Sequence, residues 1–319
     1  KDVKLVDLFN LVHPNPKFAT TKQKDAWEAL MKGKLKSTDT WEAVISASKD
    51  KKRDWEALVA EDKLGYMALI RNLNNLIRYG VSDKTLKTAV RKLTSRIEVK
   101  KSKQLPFRFI TAWENVKGNR TLTDAIAKAM ELAVSNTPKF KGNTLIAIDS
   151  SGSMDSGHGS TLRKAAIFGA TLFKANKTAD MVLFHTAIKE ITISTITPIT
   201  DMVEKIENAA GGGGTQTSLV FDYGVYKKKK YDRIIILSDN ESWAERMYGE
   251  SIKAHYANYK SETGADPFVY AVDLAGYGTK DVTGTKVFHM AGWSDRLLDF
   301  MSAVEEGDSL VKYIESIEL

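Results

Sequence analysis

Apolar residues recur at helical spacing through the first 141 residues and in short continuous runs through the remainder. Leu5, Leu8, Phe9 and Val12 fall at i, i+3, i+4 and i+7, a stripe that stops before His13-Pro14-Asn15-Pro16. Those two prolines end a helix and enforce an extended turn. Ala26, Trp27 and Leu30 begin a second helix, Trp41, Val44 and Ile45 mark a third, and Trp55, Leu58 and Val59 a fourth. The clearest spans 66–79: Met67, Leu69, Ile70, Leu73, Leu76 and Ile77 make one face, and Gly80 supplies a left-handed residue past the end. Ser82-Asp83 caps the next, which turns Leu86, Ala89, Val90, Leu93 and Ile97 inward. Pro106 opens another, carrying Phe107, Ile110 and Trp113. Short helices joined by polar turns, with no strict period, predict a degenerate helical-repeat array.

From residue 142 the pattern changes. Residues 144–148 form a continuous apolar run, as a strand buried on both faces requires. Helix is expected over 161–174, with Leu162, Ala165, Ala166, Phe168, Gly169 and Leu172 inward, then strand over 181–184 and an edge strand over 188–193. Further helices are expected near 202–208 and from 218, strands over 233–237, 268–274 and 286–290, and closing helices over 295–304 and 310–317. This alternation predicts a doubly wound, Rossmann-like, mainly parallel α/β sheet, in which ligands gather at the carboxyl ends of the strands. The chain is therefore read as two domains, 1–141 all-α and 142–319 α/β.

Charge sharpens that division. The formal net charge is +7, but residues 1–141 carry 29 Lys and Arg against 16 Asp and Glu, whereas 142–319 carry 18 against 24. A basic helical half is the electrostatic footprint of a polyphosphate binder. Lys84, Lys87 and Arg91 line one side of a helix, and Arg71 and Arg78 are seven apart beside Asn75. Such rows can follow a phosphate backbone, and any one of these residues also reads as an ordinary solvated lysine or arginine. Zero cysteine excludes disulfides, Cys-ligated metals and a thiol nucleophile, and agrees with a reducing cytoplasm. No apolar run reaches about 18 residues, so no membrane partner is expected. The first residues lack an initiator Met, and the chain is expected to begin inside a longer product.

Three loops at the predicted carboxyl edge carry chemistry. They are Asp149-Ser150-Ser151-Gly152-Ser153, then Thr215-Gln216-Thr217-Ser218 after the glycines at 211–214, and Ser238-Asp239-Asn240-Glu241. They deliver two carboxylates and two or three hydroxyls, hard oxygen donors that select Mg²⁺, Mn²⁺ or Ca²⁺. An ion so held keeps a position for an acidic ligand. The competing reading is that the serines cap the following helix. The glycines are not a P-loop, since no Gly-Lys-Ser/Thr follows; they permit close backbone approach beside Thr215. His158 reads as a loop histidine and the lysines at 227–230 as a helix end. No nucleophile–base pair and no acid/base carboxylates facing a substrate pocket are evident, so the chain is read as no enzyme.

The loop triad resembles the metal-ion-dependent adhesion site of von Willebrand factor A domains. The resemblance implies Asp149, Ser151, Ser153, Thr215 and Asp239 as direct or water-mediated ligands of Mg²⁺, with Thr217 a poorer substitute for Thr215. The stretches LFNLVHPNPK, YMALIRNLNNLIRYGV and LPFRFITAWENVKG, followed by the metal motif and SDNESW, resemble the TROVE-module family of the Ro autoantigen. That resemblance implies HEAT-like helical repeats in a ring closed by the A domain. It also implies binding of noncoding RNA, including Y RNAs and misfolded RNAs with free 3′ ends. It carries an RNA-facing role onto His13 with the nearby basic residues Lys4 and Lys17, beside the basic rows of Arg71, Arg78, Lys84, Lys87 and Arg91. Two features depart from the family: Asn10 stands where it usually has Arg, and almost no helical repeat precedes the H-P-x-P segment. The expected function is an RNA-binding scaffold with a cation site for a protein carboxylate. The alternative is an assembly component in which RNA binding is reduced or lost.

Overall fold

Caps, prolines and apolar stripes set the helices where the spacing puts them. The structure, a computed structural model, describes residues 4–35, 40–154, 160–240, 251–278, 282–292, 294–307 and 315. Its contacts divide the chain into two units, Lys1–Gly65 with Asn75–Leu86 and Tyr66–Asn74 with Lys87–Leu319. The first holds α1 (Leu5–Val12), α2 (Thr21–Met31), α3 (Trp41–Ala47) and α4 (Lys51–Ala60), with the end of α5 (Tyr66–Arg78) and the start of α6 (Asp83–Leu93). Thr20 and Gln23 form a reciprocal capping box at α2, and Asp50 accepts from the Arg53 amide at α4. Trp55, Leu58, Val59, Leu64 and Leu76 are buried, with Trp41 against Trp55 at 5.9 Å between ring centres. Gly80, at φ +61°, ends α5: its amide donates to Ile77 O and the Val81 amide to Leu76 O. One expectation fails here, at Ile77, and the stripe of α1 also lies open. The stripe of α1 does mark a helix, yet none of it is buried: Leu5 is 59 % and Val12 64 % exposed, and Phe9 meets the Trp27 ring edge-on. Ile77 too is exposed rather than on the buried face of α5.

The second unit joins the start of α5 and most of α6 to α7 (Arg96–Ser102), α8 (Ile110–Asn115), α9 (Arg120–Ala133) and the sheet. The Tyr66 hydroxyl donates to Leu93 O at 2.7 Å, and Asn136 Nδ2 donates to the carbonyls of Val99 and Gln104. The expected helix from residue 83 does not run through Ile97. Thr94 Oγ1 donates back to Val90 O, Ser95 Oγ accepts from the Glu98 amide, and a new helix starts there. Ile97 is consequently 76 % exposed, whereas Leu93 is wholly buried. The cause is local: Thr-Ser hydroxyls compete with the helix ladder and suit a cap better than an interior.

The sheet comprises β1 (Thr144–Asp149), β2 (Ala179–Phe184), β3 (Ile188–Glu190), β4 (Arg233–Ser238), β5 (Phe268–Asp273) and β6 (Val287–Ala291), in the order β3-β2-β1-β4-β5-β6. All pairs are parallel except β2–β3; the edge strand expected over 188–193 is present but antiparallel and stops at Glu190. The helices between strands are α10 (Thr161–Ala175), α11 (Ile199–Asn208), α12 (Leu219–Lys227) and α13 (Ile252–Thr263), and α14 (Arg296–Glu305) follows β6. A helical region followed by a doubly wound sheet is the architecture the periodicity predicts. The helix expected at 310–317 lies outside the described residues, as does His158. On one face Leu145, Ala147, Val182 and Ile236 pack with Phe221 and Tyr259. The other face takes α10, where Gly169 lies so close to Ile148 that an added Cβ would fall 2.6 Å from Ile148 Cδ1. Arg233, the first residue of β4, is buried, donating to Thr144 Oγ1 and Lys141 O and paired with Glu305. Among the described residues no helix is long and apolar enough to cross a membrane.

Candidate functional site

The register of the sheet brings the oxygen donors together. β1 and β4 pair in parallel with Ile148 opposite Leu237, so Asp149 and Ser238 leave the sheet side by side. Ser238 Oγ donates to Asp149 Oδ2 at 2.7 Å, and the Ser151 amide donates to Asp149 Oδ1 at 2.8 Å. Ser151 Oγ and Ser153 Oγ lie 3.2 Å apart, the former buried and the latter exposed. The glycine loop is tied to this one by two backbone bonds, from Gly212 N to Ser150 O and from Gly152 N to Gly213 O, both 2.9 Å. Gly212 and Gly213 have φ of +67° and +87°, which only glycine adopts without strain. Thr215, Thr217 and Ser218 follow the tied glycines in the chain and are all buried.

Two buried carboxylates share this rim, Asp149 and Asp239. Burial pushes the Asp149 carboxyl up to about 6, the Asp239 charge adds to the rise, and the bonds from Ser238 and Ser151 oppose it. Among the described residues no basic side chain pairs with Asp149, and no cluster of three or more His, Asp or Glu exists to hold a metal by itself. The donor set is two carboxylates with hydroxyls of Ser and Thr, a hard-oxygen set without nitrogen or sulfur. A divalent cation fits such a set, because it would offset the charge that burial leaves on Asp149. Glu241, in the third loop, lies outside the described residues.

Sequence reasoning named Ser238 only as a member of its loop and passed over His185 and Asp273. Ser238 bonds Asp149 directly, and its Oγ also accepts from the Asn240 amide at 2.9 Å, with Asn240 left-handed at φ +58°. His185 follows β2 and lies against the glycine loop, where a Cβ on Gly211 would fall 2.3 Å from its Nε2. Asp273 ends β5 and accepts from the amides of Ala275, Gly276 and Gly278, shaping the adjoining loop. The one sequence signal common to them is position at, or one residue past, the carboxyl end of a strand.

The helical cations are placed less tightly. Lys4 and His13 are both exposed, but they cap opposite ends of α1, about 13 Å apart along its axis. His13 is left-handed at φ +46°, and its amide donates to Phe9 O, so it also serves as the helix stop. Lys17 is exposed, its amide bound by Asn15 Oδ1. Arg71, Arg78, Lys84, Lys87 and Arg91 all present exposed side chains on α5 and α6. Residues 66–103 carry ten Lys and Arg against two Asp and Glu, so the excess positive charge is concentrated on α5, α6 and α7.

The helical module followed by a sheet that gathers an Asp-x-Ser-x-Ser loop, a threonine loop and a second aspartate defines a von Willebrand-type A domain behind an all-α segment. The chain belongs to the TROVE family: the TROVE domain model matches residues 13–181, and the Ro60 vWA domain model matches 143–304. It is 26 % identical over 251 residues to the RNA-binding protein RO60 of Caenorhabditis elegans, which covers 71 % of this chain and 38 % of that protein. It is 23 % identical over 272 residues to the RNA-binding protein RO60 of Deinococcus radiodurans, covering 76 % and 50 %. The chain thus spans half or less of the length of these relatives. The crystal structure of the Deinococcus radiodurans RO (RSR) protein has the same fold, with a TM-score of 0.69 at 18 % identity over 95 % of this chain and 71 % of that one.

Proposed function

We propose that this chain is a Ro-type RNA-binding scaffold that takes noncoding RNA with single-stranded 3′ ends on its basic helices. The observation that carries this reading is the row of exposed cations on α5 and α6, in a stretch nearly free of carboxylates, within a chain of the TROVE family. Guanidinium and ammonium groups one to two turns apart meet successive phosphates, and their affinity comes from counterion release. His13, Lys4 and Lys17 form a second, looser set of exposed groups. No side chain here is asked to make or break a bond, so the reading is of a binding protein and not an enzyme.

The same proposal gives the A-domain rim a Mg²⁺ ion, held by Asp149, Ser151, Ser153, Thr215 and Asp239. When bound, the ion would supply a coordination position for a carboxylate from a protein ligand. The chain's own residues prepare that place: Ser238 orients Asp149, and the Gly212–Ser150 bond sets the threonine loop.

Binding of a structured RNA with a 3′ tail, measured across a salt series, tests the RNA reading. Affinity should fall steeply between about 50 and 200 mM salt. No binding at low salt overturns it, and leaves a protein-interaction role for the A domain.

A further inference from the structure

A cavity of about 350 Å³ opens in the second unit between the first half of α5 and the segment from Phe107 to Asn115. Its polar lining is Arg71, Asn74, Arg108, Thr111 and Asn115, and no carboxylate lines it. The spacing explains the convergence. Arg71 and Asn74 are i and i+3 on α5, while Arg108, Thr111 and Asn115 are i, i+3 and i+7 on the facing segment. Each set therefore points its polar groups to one side. The floor is apolar, from Met67, Ile70 and Phe107 among others.

The chemistry of the lining selects its occupant. Arg71 is exposed and has no ion-pair partner among the described residues. Arg108 gives one nitrogen to Asp295 at 2.9 Å, which holds the Asp295 carboxyl below its ordinary range against its own burial, and lies over the Phe107 ring. Its remaining N–H groups are available to a second acceptor. Two guanidiniums without a lining carboxylate favour an anion and reject an amine. Two amides offer both donors and acceptors, the complement of a base edge, and the apolar floor suits a base face. The volume is in the range of small-ligand pockets and accommodates one nucleotide unit.

We infer that this cavity is a nucleotide subsite, with phosphate on Arg71 and Arg108 and the base over the apolar floor between Asn74 and Asn115. The inference rests on the RNA-binding reading and deepens it: the α5–α8 cavity would receive one unit of a single strand. The same chemistry would also accept a free nucleoside monophosphate, and the test separates the two sources.

The test uses the whole chain and fluorescence anisotropy with a 5′-labelled five-residue oligouridine, competed by UMP, uridine or inorganic phosphate. UMP should compete well, and uridine and phosphate poorly. Binding of the oligomer at least tenfold tighter than UMP identifies the strand as the source; equal binding identifies the free nucleotide. Arg71→Gln should weaken oligomer and UMP on the order of tenfold, as loss of a charge-assisted bond does. Thr111→Trp, at an exposed rim position that tolerates change, should block both by filling the mouth. Lys253→Gln, exposed on α13, should change neither. If both pocket variants bind oligomer and UMP as the parent does, the inference is overturned. It is equally overturned if structured RNA binds while oligomer and UMP do not, and the RNA reading then stands. UMP binding that R71Q weakens by that factor, without binding of any structured RNA, instead overturns the RNA reading and keeps the pocket.

Discussion

Asp149→Asn should stabilise the metal-free protein and remove its response to metal. Moving a carboxyl from its ordinary 3.8 to about 6 makes the ionised form roughly 3 kcal/mol less favourable at neutral pH. Asparagine carries no charge to bury, but its Nδ2 cannot accept the bond that Ser238 donates to Oδ2, a loss of about 1 kcal/mol. The balance is about 2 kcal/mol in favour of the variant, which raises the melting temperature by roughly 6 °C for a unit of this size. The measurement is thermal unfolding at pH 7 in EDTA, repeated in excess Mg²⁺. The parent protein should gain about 2.7 kcal/mol at a Mg²⁺ concentration of ~100 times the Kd, and the variant almost nothing. The pH profile in EDTA adds an independent reading. Between about 4 and 6 the folded parent binds more protons than the unfolded chain, so its stability rises as pH falls from about 6 to about 4, and D149N lacks that gain. A variant that melts below the parent in EDTA, or that retains the full Mg²⁺ shift, refutes the argument.

Replacing Lys87 and Arg91 together by Gln should weaken structured RNA of any sequence and lower the slope of log K against log salt by about 2, read in the same salt series. Gly211→Ala places a Cβ 2.3 Å from His185 Nε2 and should cost about 1–3 kcal/mol in thermal unfolding, largely restored by adding His185→Ala. Leu93→Ala should cost about 2–5 kcal/mol, whereas Ile97→Ser should stay within about 0.5 kcal/mol in urea unfolding; equal losses would contradict the helix break at Thr94-Ser95.

How far the chain could be read in advance depended on whether the signal was local. The run at 144–148 and the apolar face of α5 report on their own burial, because a strand covered on both sides and a helix with one wet face need those patterns. The charge division was legible by counting. The stripe of α1 has the same spacing as that of α5, yet it stays exposed, since periodicity says which side is apolar and not what will cover it. Ile97 fell out of register because two side-chain hydroxyls, not the apolar pattern, decide where α6 stops.

The rim of oxygen donors divides along the same line. Sequence alone marks three loops that hold Asp149, Asp239 and several serine and threonine hydroxyls, because donor type is a property of each residue; the choice of Ser151, Ser153 and Thr215 among them came from the family resemblance. That Ser238 holds Asp149, that two backbone bonds tie the glycine loop to Ser150 and Gly152, and that His185 lies against Gly211 follow only from strand register and loop closure. The cavity between Arg71 and Arg108 is further out of reach still, since its two rows lie 37 residues apart in the chain. Sequence determined the elements, the charge and the donor set, which are local and additive. The tertiary structure decided which of them meet, because packing joins residues by position in space, and no short-range pattern records that.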